Sequence, residues 1–212
     1  MANISMEKLK PLLSLKFALI LLALLGLFFA SRLINLTKIP VFVDEAIYIR
    51  WAQVMRHEPT LRFLPLSDGK QPLFMWLMIP LFKFISDPLF AGRLVSVLAG
   101  LGTLFGVLAL TFYISSSLLA TSLAGLLYIV IPFTLFFDRM ALVDSLLSMF
   151  AIWSFFLGLL FTKYRRLDLA MLLGFTIGFA TLTKSPGWFF LYLQPILLIA
   201  YPPKTRKQFF SI

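Results

Sequence analysis

Long apolar stretches separated by short polar turns constrain this chain more than any other feature of its sequence. A helix that crosses the hydrocarbon core of a bilayer needs about 20 predominantly apolar residues. Five stretches meet this requirement well and a sixth is marginal: residues 17–36, 89–114, 118–137, 145–162, 169–183 and 186–201. The sequence therefore predicts an all-α fold, a polytopic transmembrane helical bundle of about six spans forming one domain over residues 1–212.

Composition supports the membrane assignment and excludes several other classes of protein. Hydrophobic residues make up 60% of the chain and charged residues 13%, against ~45–50% and ~25% in soluble domains. The chain has no cysteine and one histidine, His57, which argues against a disulfide framework, a thiolate nucleophile and a Cys/His metal site. The net charge of +10 does not predict a nucleic-acid partner, because membrane topology explains the basic residues.

The basic residues also predict an orientation. Three clusters of Lys and Arg lie in residues 8–16, 163–166 and 204–207, and six crossings place all three on one side. Because basic residues concentrate in cytoplasmic loops, we expect a multi-pass membrane protein with a cytoplasmic N-terminus, in the plasma membrane if the protein is prokaryotic. Seven of the nine acidic residues then map to the outer face, so any chemistry is expected there.

Residues 37–88 form a long segment on that outer face. Ile47, Trp51, Val54 and Met55 recur at helical spacing, which predicts an amphipathic helix over residues 44–57 that lies in the membrane interface. A turn at residues 68–69 and a proline that suits a first helical position predict a second helix from residue 72. Its apolar run is short for a span, so we expect it to lie at the surface.

Three acidic residues of the outer face are candidates for catalysis: Asp44, Glu45 and Asp144. A carboxylate at the boundary between membrane and water can act as a general base or accept hydrogen bonds from a polar substrate. The alternative is that Asp44 and Asp144 cap helices, with Glu45 favourable at the positive end of a helix dipole. Arg139, five residues before Asp144, would meet it only if the chain bends between them.

Three cations are expected at the same interface: Lys70, Arg93 and Lys184. Charge-assisted hydrogen bonds from such groups can hold the phosphate of a lipid carrier. The alternative is contact with ordinary anionic headgroups, each worth about 1 kcal/mol.

The order of these motifs resembles a known family of membrane enzymes. The similar segments are residues 32–36, 44–48, 69–73, 92–100, 139–144 and 182–184. They resemble the N-terminal half of the polytopic GT-C glycosyltransferases, specifically the superfamily of dolichyl-phosphate-mannose protein mannosyltransferases and lipid A aminoarabinose transferases. Gln71 departs from the Lys-Pro-Pro type of stretch that is common in the family. The resemblance also implies a C-terminal half, which we expect to be absent from this chain.

The resemblance implies transfer of a sugar from a polyprenyl phosphate to an acceptor at the outer membrane face, usually with inversion. It suggests Asp44 as the base and Glu45 as the group that orients the acceptor, with Asp144 and Arg139 shaping a pocket. Lys70, Arg93 and Lys184 become candidates for the phosphate side. The acceptor is a protein, lipid or glycan. No metal ligands are predicted, and the sequence does not specify whether a divalent cation binds.

Two other functions remain open at this stage. The chain is a non-enzymatic membrane subunit or truncated fragment, with a partner subunit supplying the missing half, or it is a small-molecule transporter. Ionisable groups inside a membrane often mark transport pathways. Here the charges cluster at one interface rather than at the midplane, and no inverted repeat is visible.

Overall fold

The computed structural model describes residues 15–199, which are helical throughout apart from short turns. Lys8, Lys10, the basic cluster at residues 204–207 and the end of the sixth apolar stretch lie outside this range. Nine α-helices follow one another in the described part of the chain: α1 (Leu15–Leu33), α2 (Val43–His57), α3 (Leu73–Leu81), α4 (Pro88–Ser115), α5 (Leu118–Val130), α6 (Pro132–Phe137), α7 (Val143–Tyr164), α8 (Leu167–Thr183) and α9 (Trp188–Leu193).

Helices α1, α4 and α7 are long and apolar enough to cross a membrane. At 1.5 Å per residue the shortest of them is roughly 28 Å long, close to the thickness of a hydrocarbon core. Helices α5 and α8 are shorter and apolar, and α6 extends α5 after a one-residue break at Ile131. Residues 185–199 form a series of 3₁₀ and α turns instead of a continuous sixth helix.

The three long helices and the shorter helices α5 and α8 pack side by side, in the order α1, α5, α4, α7, α8. Glycines allow the close approach of α4 and α7, as the small-residue spacing at Gly102 and Gly106 indicates. A Cβ atom at either position would collide with α7 side chains, and the indole Nε1 of Trp153 donates to the Gly102 carbonyl oxygen at 2.9 Å. The described chain is therefore an all-helical bundle, as the sequence predicts.

Two short helices cover one end of this bundle. Helix α2 confirms the amphipathic helix predicted from the apolar spacing, and α3, with nine residues, is far too short to cross a membrane. Tyr48 and Met55 of α2 are buried together with Phe74 and Met78 of α3, against the start of α4 and the turn before α7. The segment between α1 and α4 is thus a packed platform, and the end of the bundle that it covers is called the α2–α3 end below.

Candidate functional site

A buried ion pair fixes α2 to the first turns of α4. Arg93 donates from Nε to Glu45 Oε1 at 2.9 Å and from Nη2 to Oε2 at 2.8 Å, and both side chains are fully buried. Its Nη1 atom also donates to the carbonyl oxygens of Leu36 and Ile39. One guanidinium therefore joins the loop after α1, the start of α2 and the body of α4.

Glu45 carries two further hydrogen bonds from the backbone. The N–H of Phe42 donates to Oε2 at 2.9 Å, and the N–H of Ala141 donates to Oε1 at 2.6 Å. Burial alone would raise the pKa of Glu45, but these bonds and those from Arg93 outweigh it and lower the pKa below its ordinary value. Glu45 is therefore an ionised carboxylate whose oxygens are occupied by protein donors.

A second buried pair joins α1 to the turn before α7, and the sequence reasoning did not select it. Arg32 donates from Nη2 to Asp138 Oδ2 at 3.3 Å, and the two side chains are 0% and 3% exposed. The same carboxylate accepts hydrogen bonds from the hydroxyls of Tyr128 and Ser145. The sequence signal that could have pointed to this pair was Arg32 itself, because a charged residue at the end of an apolar span requires a partner.

Asp44 and Lys70 form a different kind of pair, which is open to solvent. The ammonium Nζ of Lys70 lies 3.4 Å from Asp44 Oδ1 and 3.7 Å from Asp68 Oδ2. The side chain of Asp44 is 43% exposed and that of Lys70 is 32% exposed. Burial lowers the pKa of Lys70, but Tyr48 and Asp44 raise it by more, so the net shift is upward. Lys70 is thus a protonated cation that a ligand can reach.

Asp144 and Lys184 form a second open pair at the same end of the bundle. Lys184 follows the last residue of α8 and donates to Asp144 Oδ1, in the first turn of α7, at 2.9 Å. Both side chains are at least a third exposed. Asp144 does not cap its helix, since the N-cap residue of α7 is Leu142. Likewise Phe42, and not Asp44, is the N-cap residue of α2.

Tyr48 of α2 connects the two open pairs. Burial raises its pKa, and the charges of Lys70, Asp44, Lys184 and Asp144 all act on it as well. The Lys70 ammonium also lies over the rings of Tyr48 and Trp51, at 5.1 and 5.6 Å from their centroids. Charged groups from the loop before α3, from α2, from α7 and from the end of α8 therefore all lie within electrostatic range of one aromatic side chain.

Arg139 is held away from Asp144 by the end of α1. Its guanidinium donates to the carbonyl oxygens of Ser31, Ile34 and Asn35 at 2.9–3.1 Å. Ser31 lies in the last turn of α1, and Ile34 and Asn35 follow that helix directly, so Arg139 binds the C-terminal end of α1. None of these hydrogen bonds goes to Asp144, so the contact that a bend in the chain would allow between Arg139 and Asp144 is not among them.

The structure thus divides the seven predicted site residues into two groups. Four are accessible, and their charges act on Tyr48: Asp44, Lys70, Asp144 and Lys184. The other three, Glu45, Arg93 and Arg139, have hydrogen bonds to the protein that join separate parts of the chain. Within residues 15–199 no group of three or more His, Cys, Asp or Glu side chains is arranged to hold a metal ion. The functional roles of the seven predicted site residues stay predictions.

Comparison with known proteins identifies the family. No curated protein and no solved structure is significantly similar to the chain. Residues 65–203, about two thirds of the sequence, match the family of dolichyl-phosphate-mannose-protein mannosyltransferases. Lys70, Arg93, Asp144 and Lys184 fall inside the matched range, whereas Asp44 precedes it. The match and the three long apolar helices show that the chain is an integral membrane protein. It belongs to the dolichyl-phosphate-mannose-protein mannosyltransferase family of glycosyltransferases.

Proposed function

We propose that this chain carries the donor-side centre of a glycosyltransferase that moves a sugar from a polyprenyl phosphate to an acceptor hydroxyl, with inversion. The observation that supports it is the presence at the α2–α3 end of two accessible Asp–Lys pairs whose charges all act on Tyr48. A lipid-linked donor needs both an anchor in the membrane and a polar centre at its edge. In this proposal the headgroup of the donor enters beside the platform formed by α2 and α3.

Asp44 is the general base in this proposal. It accepts the proton of the acceptor hydroxyl while the hydroxyl oxygen forms a bond to the anomeric carbon of the sugar. The bond from that carbon to the phosphate oxygen breaks, and its electron pair leaves with the polyprenyl phosphate. A phosphate leaves readily at neutral pH without being protonated, so one carboxylate is sufficient for the proton transfer.

Lys70 stabilises the leaving phosphate. Negative charge grows on the phosphate oxygens as the sugar departs, and a cation already in place lowers the energy of that state. The raised pKa of Lys70 keeps its ammonium protonated at neutral pH. Substrate binding would separate Lys70 from Asp44, which is feasible because an exposed ion pair is worth only about 0–1 kcal/mol.

Asp144 and Lys184 would bind the sugar or the acceptor beside this centre. Their side chains are accessible, and their charges reach Tyr48 from the side of α7 and α8. Glu45 and Arg93 are positioning residues in this scheme, because their buried pair holds α2, and with it Asp44, against α4. Arg139 holds the end of α1 in the same way.

The α2–α3 end would face the outside of the cell. Lys163 in the last turn of α7, and Arg165 and Arg166 in the turn before α8, lie at the opposite end of the bundle. Basic residues in short loops favour the cytoplasmic side. This orientation gives the centre access to donors and acceptors on the outer leaflet, and in a prokaryote the membrane would be the plasma membrane.

The test is sugar transfer by the chain expressed in its complete reading frame and reconstituted in liposomes. The donor probe is dolichyl phosphate mannose labelled in the sugar, and released dolichyl phosphate is measured. We expect Asp44→Asn to lower turnover by about 10²–10⁴-fold, because the general base is lost. The variant should remain folded, since Asp44 is exposed and bonded only to Lys70 among the described side chains.

Asp68→Asn is the matched control, because Asp68 also lies beside Lys70, at 3.7 Å, and is more exposed. This variant, like Asp44→Asn, removes one negative charge beside Lys70. We expect its turnover to stay close to that of the parent protein. Equal turnover in the parent and in both variants would contradict the assignment of Asp44. No donor turnover in the parent protein would instead favour the non-enzymatic subunit.

A further inference from the structure

A second polar cleft lies on the other side of α2, away from the Asp44 centre. It has a volume of about 510 Å³ and is formed by the C-terminal half of α2 and the segment that joins α3 to α4. Arg50, Gln53, Val54 and His57 line it from one face of α2, and Phe82, Ile85 and Ser86 line the facing wall.

Helix geometry separates this cleft from the centre around Tyr48. With 100° per residue, Asp44, Tyr48 and Trp51 fall on one stripe of α2. Residues 50, 53 and 57 fall on a stripe roughly 150° round the axis from it, and Val54 lies between the two stripes. The two clefts therefore use different faces of the same helix, and a ligand in one does not occupy the other.

The lining of this cleft is basic on one wall and apolar on the other. Arg50 and Arg56 supply two guanidinium groups, and Glu58 supplies one carboxylate. Nη1 of Arg56 donates to the carbonyl oxygen of Phe82 at 2.8 Å, which ties the two walls together. Asp87, a nearby acid, accepts hydrogen bonds from the N–H groups of Leu89 and Phe90, so its carboxylate is engaged at the start of α4.

We propose that this cleft binds the phosphate of a membrane lipid, with the phosphate on Arg50 and Arg56 and the start of the hydrocarbon chains on Phe82 and Ile85. Guanidinium groups match the geometry of phosphate oxygens and bind them with charge-assisted hydrogen bonds. Phe82, Ile85 and Pro88 give the cleft an apolar side, which inorganic phosphate would not use. An amphiphile satisfies both walls at once.

The position of the cleft agrees with a lipid rather than a soluble ligand. Helix α2 is amphipathic and follows directly after a helix long enough to span the membrane. Its apolar face packs on α3 and the start of α4, and its position just after a spanning helix puts it near the level of the headgroups. Arg50 is exposed and has no ion-pair partner among the described residues, so its charge is available to a headgroup. A bound lipid would also fix the C-terminal half of α2, whose other half carries Asp44.

Lipid retention can be measured by native mass spectrometry of the reconstituted protein. The probes are phosphatidylglycerol, a diacylglycerol with the same acyl chains, and inorganic phosphate. We expect retention of phosphatidylglycerol and at least a fivefold lower retention in Arg50→Gln. Arg62→Gln is the matched control, because Arg62 is an exposed arginine of the same outer segment that does not line the cleft. It should retain phosphatidylglycerol as the parent does.

Three results would overturn the proposal. Equal retention of diacylglycerol would show that the phosphate is not recognised, and binding of inorganic phosphate without lipid would show a soluble ligand. Equal losses in Arg50→Gln and Arg62→Gln would show only a general effect of charge. The experiment does not depend on sugar transfer, so it can fail while the glycosyltransferase assignment stands.

Discussion

At the α2–α3 end, the arginine–carboxylate pairs and the lysine–carboxylate pairs differ in burial. Arg93–Glu45 and Arg32–Asp138 are almost completely enclosed, whereas Lys70–Asp44 and Lys184–Asp144 are each about a third or more exposed. The Arg166–Asp168 pair does not belong to this comparison, because it lies at the opposite end of the bundle. Both of its side chains are exposed.

The chemistry of the two cations explains the division. A guanidinium is planar and can donate several hydrogen bonds in fixed directions, so Arg93 satisfies both oxygens of Glu45 and backbone carbonyls as well. An ammonium on a flexible stem is a compact charge that can move to a ligand. The enclosed pairs therefore hold helices together, and the open pairs are accessible to a ligand.

The largest expected effect is on stability, from breaking an enclosed pair. Arg93→Met leaves the Glu45 carboxylate buried without its partner, and we expect the free energy of unfolding to fall by about 3–5 kcal/mol. Unfolding in nanodiscs measures it. Adding Glu45→Gln to Arg93→Met should restore part of the loss, because the unpaired charge is removed. An unchanged unfolding free energy in Arg93→Met would show that this pair does not hold α2.

The next effect is on turnover, from removing an open cation. Lys70→Gln should lower the release of dolichyl phosphate by about 10²-fold, as loss of a preorganised charge donor does in other enzymes. Lys38→Gln removes an exposed lysine elsewhere in the segment between α1 and α4 and should leave the release rate near that of the parent. If both variants slow release equally, Lys70 acts only through the general charge of the surface.

The smallest effect is on stability, from breaking an open pair. Asp144→Asn removes the partner of Lys184, but both side chains are partly exposed, and solvent screens their attraction. We expect the free energy of unfolding to change by less than about 1 kcal/mol. A loss comparable to that in Arg93→Met would place this pair with the enclosed ones.

Local patterns predicted much of the fold. The spacing of Ile47, Trp51 and Met55 predicted α2, because apolar side chains on one face of a helix must be covered. The length of the apolar run predicted α7, and the same criterion kept α3 out of the spans. Residues 185–199 lack a continuous helix, which apolar composition alone does not reveal.

The roles of the charged residues depend on contacts that no local pattern contains. Asp44 and Glu45 are neighbours in sequence, but a rotation of 100° between them turns Glu45 toward Arg93 and leaves Asp44 accessible. The partners of the enclosed pairs are 48 and 106 positions apart. Sequence reasoning therefore found the acidic pair but did not predict the burial of Glu45 against Arg93 or the pairing of Arg32 with Asp138.

The most direct test compares Asp44→Asn with Glu45→Gln, two neutralised neighbours, for both unfolding temperature and turnover in the same reconstituted preparations. We predict that Asp44→Asn keeps the unfolding temperature of the parent and loses turnover. Glu45→Gln should lower the unfolding temperature, with turnover per folded molecule reduced far less than in Asp44→Asn. A Glu45→Gln protein that is as stable as the parent, or an Asp44→Asn protein that turns over normally, would contradict the assignment of structure to the enclosed pairs and chemistry to the open ones.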